Sequence, residues 1–219
     1  MLSFATRGSG PAATAKPAGV VHPLTFVGDD AALLDGLRSG HPGAPAAFYD
    51  RYADYVHAML MRILGCDPEI GDLLQEVFLQ ALKSVGSVRD ANRLKPWVGS
   101  VAVHVARGAI RKRSRRRWLQ FRQPESLPVR EAPVADEETR EVLQLTFEVL
   151  ERMPADERIA FSLRFVEQME LAEVADICGV SLATAKRRIA KAERRFVALA
   201  ETRPPLRGWL DQSSRWRDR

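Results

Sequence analysis

The sequence predicts an all-α protein: two small helical domains joined by a flexible linker, the C-terminal one a helix-turn-helix. Three observations predict it. Apolar residues recur at steps of three and four on both sides of the chain's middle, which is the helical period. An acidic stretch with Pro124, Pro128, Pro133, Asp136, Glu137 and Glu138 interrupts that pattern. Two basic runs flank the interruption. Arg107, Arg111, Lys112, Arg113, Arg115, Arg116, Arg117 and Arg122 follow one another without an acid between them. Lys186, Arg187, Arg188, Lys191, Arg194 and Arg195 form the second run, diluted only by Glu193.

The elements follow in order. Residues 1–28 are rich in Ala, Gly, Pro and Ser and read as a disordered tail. A short helix spans Asp29 to Arg38, its two leading aspartates suited to the positive end of the helix dipole. Ser39, Gly40, Pro42, Gly43 and Pro45 then break the chain. Phe48, Tyr52, Tyr55, Val56, Met59, Leu60 and Ile63 line one face of a second helix that Gly65 ends. Asp67 and Pro68 read as the cap and first turn of a third. That helix buries Leu73, Leu74, Val77, Phe78, Ala81 and Leu82 and shows Asp72, Gln75, Glu76, Gln80 and Lys83.

Residues 94–117 fit two patterns. Val101, Val103 and Val105 alternate as in a strand. Leu94, Trp97, Val98, Val101, Val105 and Ala109 also share one helical face, opposite Ser100, His104, Arg107 and Arg111. Helix is the expectation, because the neighbouring segments are helical and offer no strand to pair with. The first domain thus covers 29–118, the linker 119–136, and the second domain 137–202. In that second domain one helix carries Val142, Leu145, Val149 and Leu150. Pro154 opens the next, with Asp156 and Glu157 in its first turn and Ile159, Ala160, Leu163 and Val166 buried. The tail over 203–219 is either a small docking segment or disordered.

Composition narrows the function. With 219 residues, 46% hydrophobic, the chain can build a core. The net charge of +5, gathered into two runs, points to a polyanion bound at two places. Cys66 and Cys178 cannot supply a disulfide framework, and neither has a partner at metal spacing. No apolar run approaches the roughly 20 residues that span a bilayer. A cytoplasmic protein with no membrane association is expected. A hydrolase or transferase would need convergent acids, bases or a nucleophile. The sequence holds no Gly-rich phosphate loop and no nucleophile elbow, so no catalytic residue, metal or cofactor is expected.

Met169 to Phe196 is the most informative segment. A short helix near Leu171–Ile177 is followed by Cys178, Gly179 and Val180, where Gly179 tolerates a left-handed turn. Ser181 is placed to cap the last long helix. That helix carries Leu182, Ala185, Ile189, Ala192, Phe196 and Leu199 on one face and Thr184, Arg187, Arg188, Lys191 and Arg195 on the other. A two-faced helix of this kind packs on its short partner and lays its basic side in a major groove. An ordinary helical hairpin with a charged outer face has the same pattern.

The stretch LAEVADICGVSLATAKRRIAKAERRF resembles the helix-turn-helix of bacterial RNA polymerase sigma factors of the extracytoplasmic-function group. AAFYDRYADYVHAML followed by DLLQEVFLQALKS resembles their N-terminal domain, and LKPWVGSVAVHVARGAIRKRSRRR the promoter-reading helix that closes it. The resemblance implies a protein that joins core RNA polymerase, recognises promoter DNA and promotes duplex opening. It implies polymerase contact through Asp72, Gln75 and Glu76, with Leu73 and Phe78 supporting from the core. It implies contact with the promoter-proximal element through Trp97, Ser100, His104, Arg107, Arg111, Lys112 and Arg113; Trp97 equally suits a core position. Ser181, Thr184, Lys186, Arg187, Arg188, Lys191 and Arg195 would read the upstream element. The family often has Asn at the place of His104 and Asp at that of Gly108, which bears on base preference. A monomer and a possible anti-sigma partner also follow from the resemblance. A stand-alone regulator binding operator DNA would share the C-terminal module but would not need the DLLQEVFLQA helix.

Overall fold

The computed structural model describes residues 26–120 and 137–212, and every regular element among them is helical. Most of the expected N-terminal tail, most of the linker and the end of the C-terminal tail lie outside the described residues.

Helix α1 (Asp30–Ser39) starts where Asp29 accepts a hydrogen bond from the Ala32 amide at 2.9 Å and stops at Gly40, φ 75°. Helix α2 (Ala44–Leu64) begins earlier than expected. Pro45 opens its first turn instead of breaking the chain, because a proline there lacks an N–H that would be unpaired anyway. Helix α3 (Ile70–Ser84) begins later than expected. Asp67 and Pro68 form a separate turn, in which the Asp67 carboxylate accepts from the Glu69 amide at 2.8 Å.

Helix α4 (Leu94–Gln120) resolves the ambiguous segment. Val101, Val103 and Val105 alternate because this helix is covered on several sides. It crosses α2 and α3 and also meets the C-terminal module, so Leu94, Val98, Ala102, Val103, Ala106 and Ile110 are all buried. Pro96 sits in its first turn, where it breaks no bond.

The second group comprises α5 (Glu137–Glu151), α6 (Ala155–Phe161), α7 (Leu171–Cys178), α8 (Leu182–Ala200) and α9 (Pro204–Gln212). After α6 the chain widens into one π-helical turn over Ser162–Val166. The extra residue in that turn rotates the register, and Val166, expected inside, is 38% exposed. Leu182 also departs from expectation. It is the first residue of α8, ahead of the packed face, and is 54% exposed. The start of the C-terminal tail is ordered: α9 buries Leu206 and Leu210 among Val149, Leu150, Phe196 and Ala200. Phe161 stacks on Phe196 at 4.3 Å between ring centroids in the same cluster.

The larger surprise is how the two groups sit. Ile159, Leu163, Val174 and Ile177 belong to the same buried cluster as the residues of α1–α4. The sequence reading expects two bodies on a tether; the structure seats the second against the first. Full burial of one such aliphatic side chain is worth about 1.5–3 kcal/mol, so four of them form a substantial seam. Phe147 of α5 adds to it, lying 3.0 Å from where a side chain at Gly65 would start.

Candidate functional site

Three surfaces carry the residues of interest. On α3, Asp72, Gln75 and Glu76 are exposed, and Gln80 donates to the Glu76 carboxylate at 2.7 Å. Leu73 is half-buried. Phe78 is buried, its ring 5.3 Å from that of Phe48 and 4.7 Å from that of Tyr49. Leu79 is a residue the sequence reading missed. It lies outside the apolar face, four residues after Gln75, and is exposed beside the polar edge.

On α4, His104, Arg111 and Lys112 face outward, and Ser100 is half-buried, its hydroxyl donating to the Trp97 carbonyl at 2.7 Å. Trp97 is half-buried, 6.5 Å from the Phe48 ring, which satisfies the core reading, and it also borders a cleft with Arg93 and Asp176. Arg107 and Arg113 are not open. Arg113 pairs with Asp67 at 2.5 Å and Glu69 at 3.0 Å in the α2–α3 turn. The Arg113 hydrogen bond, the largest influence on Glu69, holds its carboxyl below the usual carboxylate range against a smaller upward push from burial. The Arg107 side chain pairs instead with Asp156 at the start of α6, Nε to Oδ1 2.8 Å.

On α7 and α8 the helix-turn-helix is built as expected. Glu170 and Glu173 form a reciprocal cap at the start of α7, Gly179 turns the chain at φ 65°, and Ser181 accepts from the Thr184 amide at 3.2 Å. Lys186 and Arg187 are exposed and make no ion pair among the described residues. The other three cations are engaged. Arg188 reaches Asp156 Oδ2 at 3.4 Å, and Lys191 and Arg195 reach the two Glu157 oxygens at 2.9 and 2.6 Å.

The seven α8 candidates therefore divide into two capping residues, two open cations and three paired ones. Asp156 and Glu157 were legible only as first-turn acids of α6; what they face depends on the tertiary fold. Burial is also why the Cys178 thiol is pushed above its usual range, with Arg107 and Arg188 pulling it back and Asp156 adding to the rise. Tyr55 of α2 is pushed up to about 12, first by burial and then by the charges of Glu167 and Glu173 across the seam. Among the described residues no group of His, Cys, Asp and Glu is placed to hold a metal ion, and no helix is long and apolar enough to cross a membrane.

Two family models match, in the order of the two helical groups: sigma-70 region 2 over residues 48–116 and sigma-70 region 4 over 137–196, together more than half of the chain. The chain belongs to the extracytoplasmic-function group of RNA polymerase sigma factors. It is similar to the sigma factor CarQ of Myxococcus xanthus, 29% identical over 155 residues, spanning 71% of this chain and 88% of that one. It is 25% identical over 172 residues to the sigma-E factor of Haemophilus influenzae, spanning 74% and 90%. SigW of Bacillus subtilis is 25% identical over 162 residues, spanning 70% and 87%. Two solved structures share the fold. CnrH, in complex with the cytosolic domain of CnrY, matches at TM-score 0.55 and 20% identity over 80% of this chain and 98% of that one. RpoE, in complex with the anti-sigma factor NepR from Bartonella quintana, matches at TM-score 0.54 and 22% identity over 71% and 95%. The match to both regions answers the alternative of a stand-alone regulator: this sigma factor serves transcription initiation with core RNA polymerase.

Proposed function

We propose that the three surfaces divide the work of a sigma factor. The α3 edge of Asp72, Gln75, Glu76 and the neighbouring Leu79 meets the core polymerase. The α4 face of Ser100, His104, Arg107, Arg111 and Lys112 meets the promoter-proximal element. Helix α8 reads the upstream element. Arg113, paired into the α2–α3 turn, has a supporting role in this arrangement, holding the base of α4.

The observation that carries the reading is the pair Lys186 and Arg187. They stand open on a helix that follows a Gly179 turn and whose other face is packed, the arrangement that admits a helix to a major groove. Each module alone would hold promoter DNA weakly; mounting both on one polymerase raises the effective concentration of the second. Most of the DNA affinity comes from phosphate neutralisation and falls steeply with salt.

The chain works in the cytoplasm as a monomer and performs no covalent chemistry, since the polymerase forms the bonds. An anti-sigma protein is a further partner, by analogy with the complexes of CnrH and RpoE. In vitro transcription with core enzyme and genomic DNA tests the assignment. Defined start sites that depend on Arg187 are expected; transcription that keeps the same start sites with Arg187→Ala overturns the role given to α8.

A further inference from the structure

We infer that Arg194 is a further DNA contact of α8: a clamp for a backbone phosphate, two turns beyond Arg187 on the ridge of the helix that the α6 acids leave open. The inference rests on the assignment of α8 to the upstream element.

The roll of α8 about its axis is set from two sides. Ala185, Ala192, Phe196 and Ala200 are buried and define the face turned to the core. Glu157 of α6 is almost fully covered, and its two oxygens hold Lys191 at 2.9 Å and Arg195 at 2.6 Å. Those two cations stand one turn apart on α8, and Asp156 holds Arg188 on the same side at 3.4 Å. Apolar packing on one face and charged ties on the next pin the helix against rotation.

Each residue advances about 100° round a helix. Counted from the buried face, Arg188, Lys191 and Arg195 lie about a quarter turn round, and Arg187 and Arg194 fall about half a turn round, directly outward. Two turns separate these two arginines, about 10 Å along the axis. Both are exposed, and neither makes an ion pair among the described residues. The residues three and four places from Arg194 are Ala190, Lys191, Val197 and Ala198, so no acid stands one turn away on α8. Ala183 and Ala198, exposed on the same ridge, are too small to shield either guanidinium.

Position along the ridge decides the chemistry. A recognition helix sets the residues of its first turns against base edges, and Arg187 lies in the second turn of α8. Two turns later the helix has crossed a groove about 12 Å wide, and the phosphate backbone stands at the groove's rim. A guanidinium fork matches phosphate oxygens there. Such a contact fixes the register of the helix on the duplex and carries no sequence preference.

The test uses the complex with core polymerase. One fluorescent duplex carries a start site mapped by transcription in vitro, and a second has the upstream element scrambled. Affinity is measured at several salt concentrations for the parent, Arg194→Ala, Arg194→Lys and Arg187→Ala. Melting temperatures are expected to be unchanged, since neither arginine packs into the core. Arg194→Ala is expected to weaken binding about fivefold on both duplexes. It is also expected to make the dependence of log affinity on log salt shallower by about 0.9, the share of one phosphate. Arg194→Lys, which keeps the charge, is expected to retain the parental slope. Unchanged affinity and slope in Arg194→Ala, beside a loss in Arg187→Ala, overturns the contact and leaves Arg194 a solubilising surface charge. A loss confined to the intact promoter overturns the phosphate assignment. Failure of the underlying reading looks different: Arg187→Ala and Arg194→Ala would both leave affinity for either duplex unchanged.

Discussion

Gly99 of α4 lies directly beneath Tyr55 of α2: a Cβ on that glycine would stand 2.7 Å from the phenolic oxygen. The same Cβ would be 3.4 Å from Met59 and 3.5 Å from Ile177 of α7. A mid-helix glycine costs about 1 kcal/mol against alanine, and here the close approach of three helices explains it. Gly99→Ala is expected to lower stability by about 1–2 kcal/mol, as overpacking outweighs the gain in helix propensity. Urea unfolding measures it. Removing the hydroxyl as well, with Tyr55→Phe, is expected to recover most of the loss, a coupling that a double-mutant cycle reads directly.

The seam should also show itself in alkali. Burial raises the thiol pKa of Cys178 in the folded chain. A group whose folded pKa is raised contributes stability that is complete below its unfolded pKa, about 8.5 for a thiol, and is lost as pH rises through the folded value. Stability is thus expected to fall from about pH 8.5 upward. Tyr55, pushed up to about 12, continues the fall at higher pH. Urea midpoints at several alkaline pH values check this; Cys178→Ala should flatten the first part of the slope and Tyr55→Phe the later part.

The acid limb has the opposite sign. Arg113 holds the Glu69 carboxyl below its usual range. The contribution is present above the unfolded value, about 4.3, and disappears as pH falls through the folded one. Glu69→Gln is expected to lower stability slightly at neutral pH, since the pair is partly exposed, and to weaken the dependence of melting temperature on pH in the acid range. An unchanged acid profile would mean that the pair does not hold the base of α4.

How much of this was written in the sequence depends on which interaction decides each feature. The helices were legible because their periods and caps are local: Asp29, Gly40, Gly65, Gly179 and Ser181 do what their residue types allow at their positions. Pro45 misled because a proline both breaks and begins helices, and only the following turn tells which. Val166 misled because a π turn shifts the period without any mark in composition. The basic faces were legible as clusters of charge. That Arg107, Arg188, Lys191 and Arg195 are held by Asp156 and Glu157 was not, since those pairs link residues 49, 32, 34 and 38 positions apart; the packing of α6 on α8 brings the last three together, and the seating of the second group on α4 brings the first. Leu79 was missed for a related reason. An exposed leucine beside an apolar face reads as a spare core residue until the face is seen to be full.

The α3 surface gives a test separate from DNA. Glu76 is exposed and touches only Gln80 among the hydrogen bonds described, so changing it leaves the core alone. Glu76→Lys is expected to weaken binding to core polymerase by about 1–2 kcal/mol, the range of a reversed charge contact at an interface rim, with the melting temperature unchanged. Leu79→Ser should act in the same direction through lost apolar contact. Fluorescence anisotropy with labelled chain and core enzyme measures both, and normal affinity in the pair would move the docking surface elsewhere.

Arg187 and Arg188 are neighbours on α8 in different surroundings, and the proposed role of α8 predicts different consequences for them. Arg187 is open, so on the proposed role of α8 Arg187→Ala leaves the packing alone and promoter affinity is expected to fall by about 1–3 kcal/mol in both the free chain and the polymerase complex. Arg188 is paired with Asp156, so a DNA phosphate must first displace that carboxylate and the net contribution of Arg188 is smaller. Arg188→Ala is therefore expected to cost visibly less than Arg187→Ala. Equal losses for the two variants would show that the Asp156 pair does not compete with DNA, while a loss for neither would remove α8 from promoter recognition.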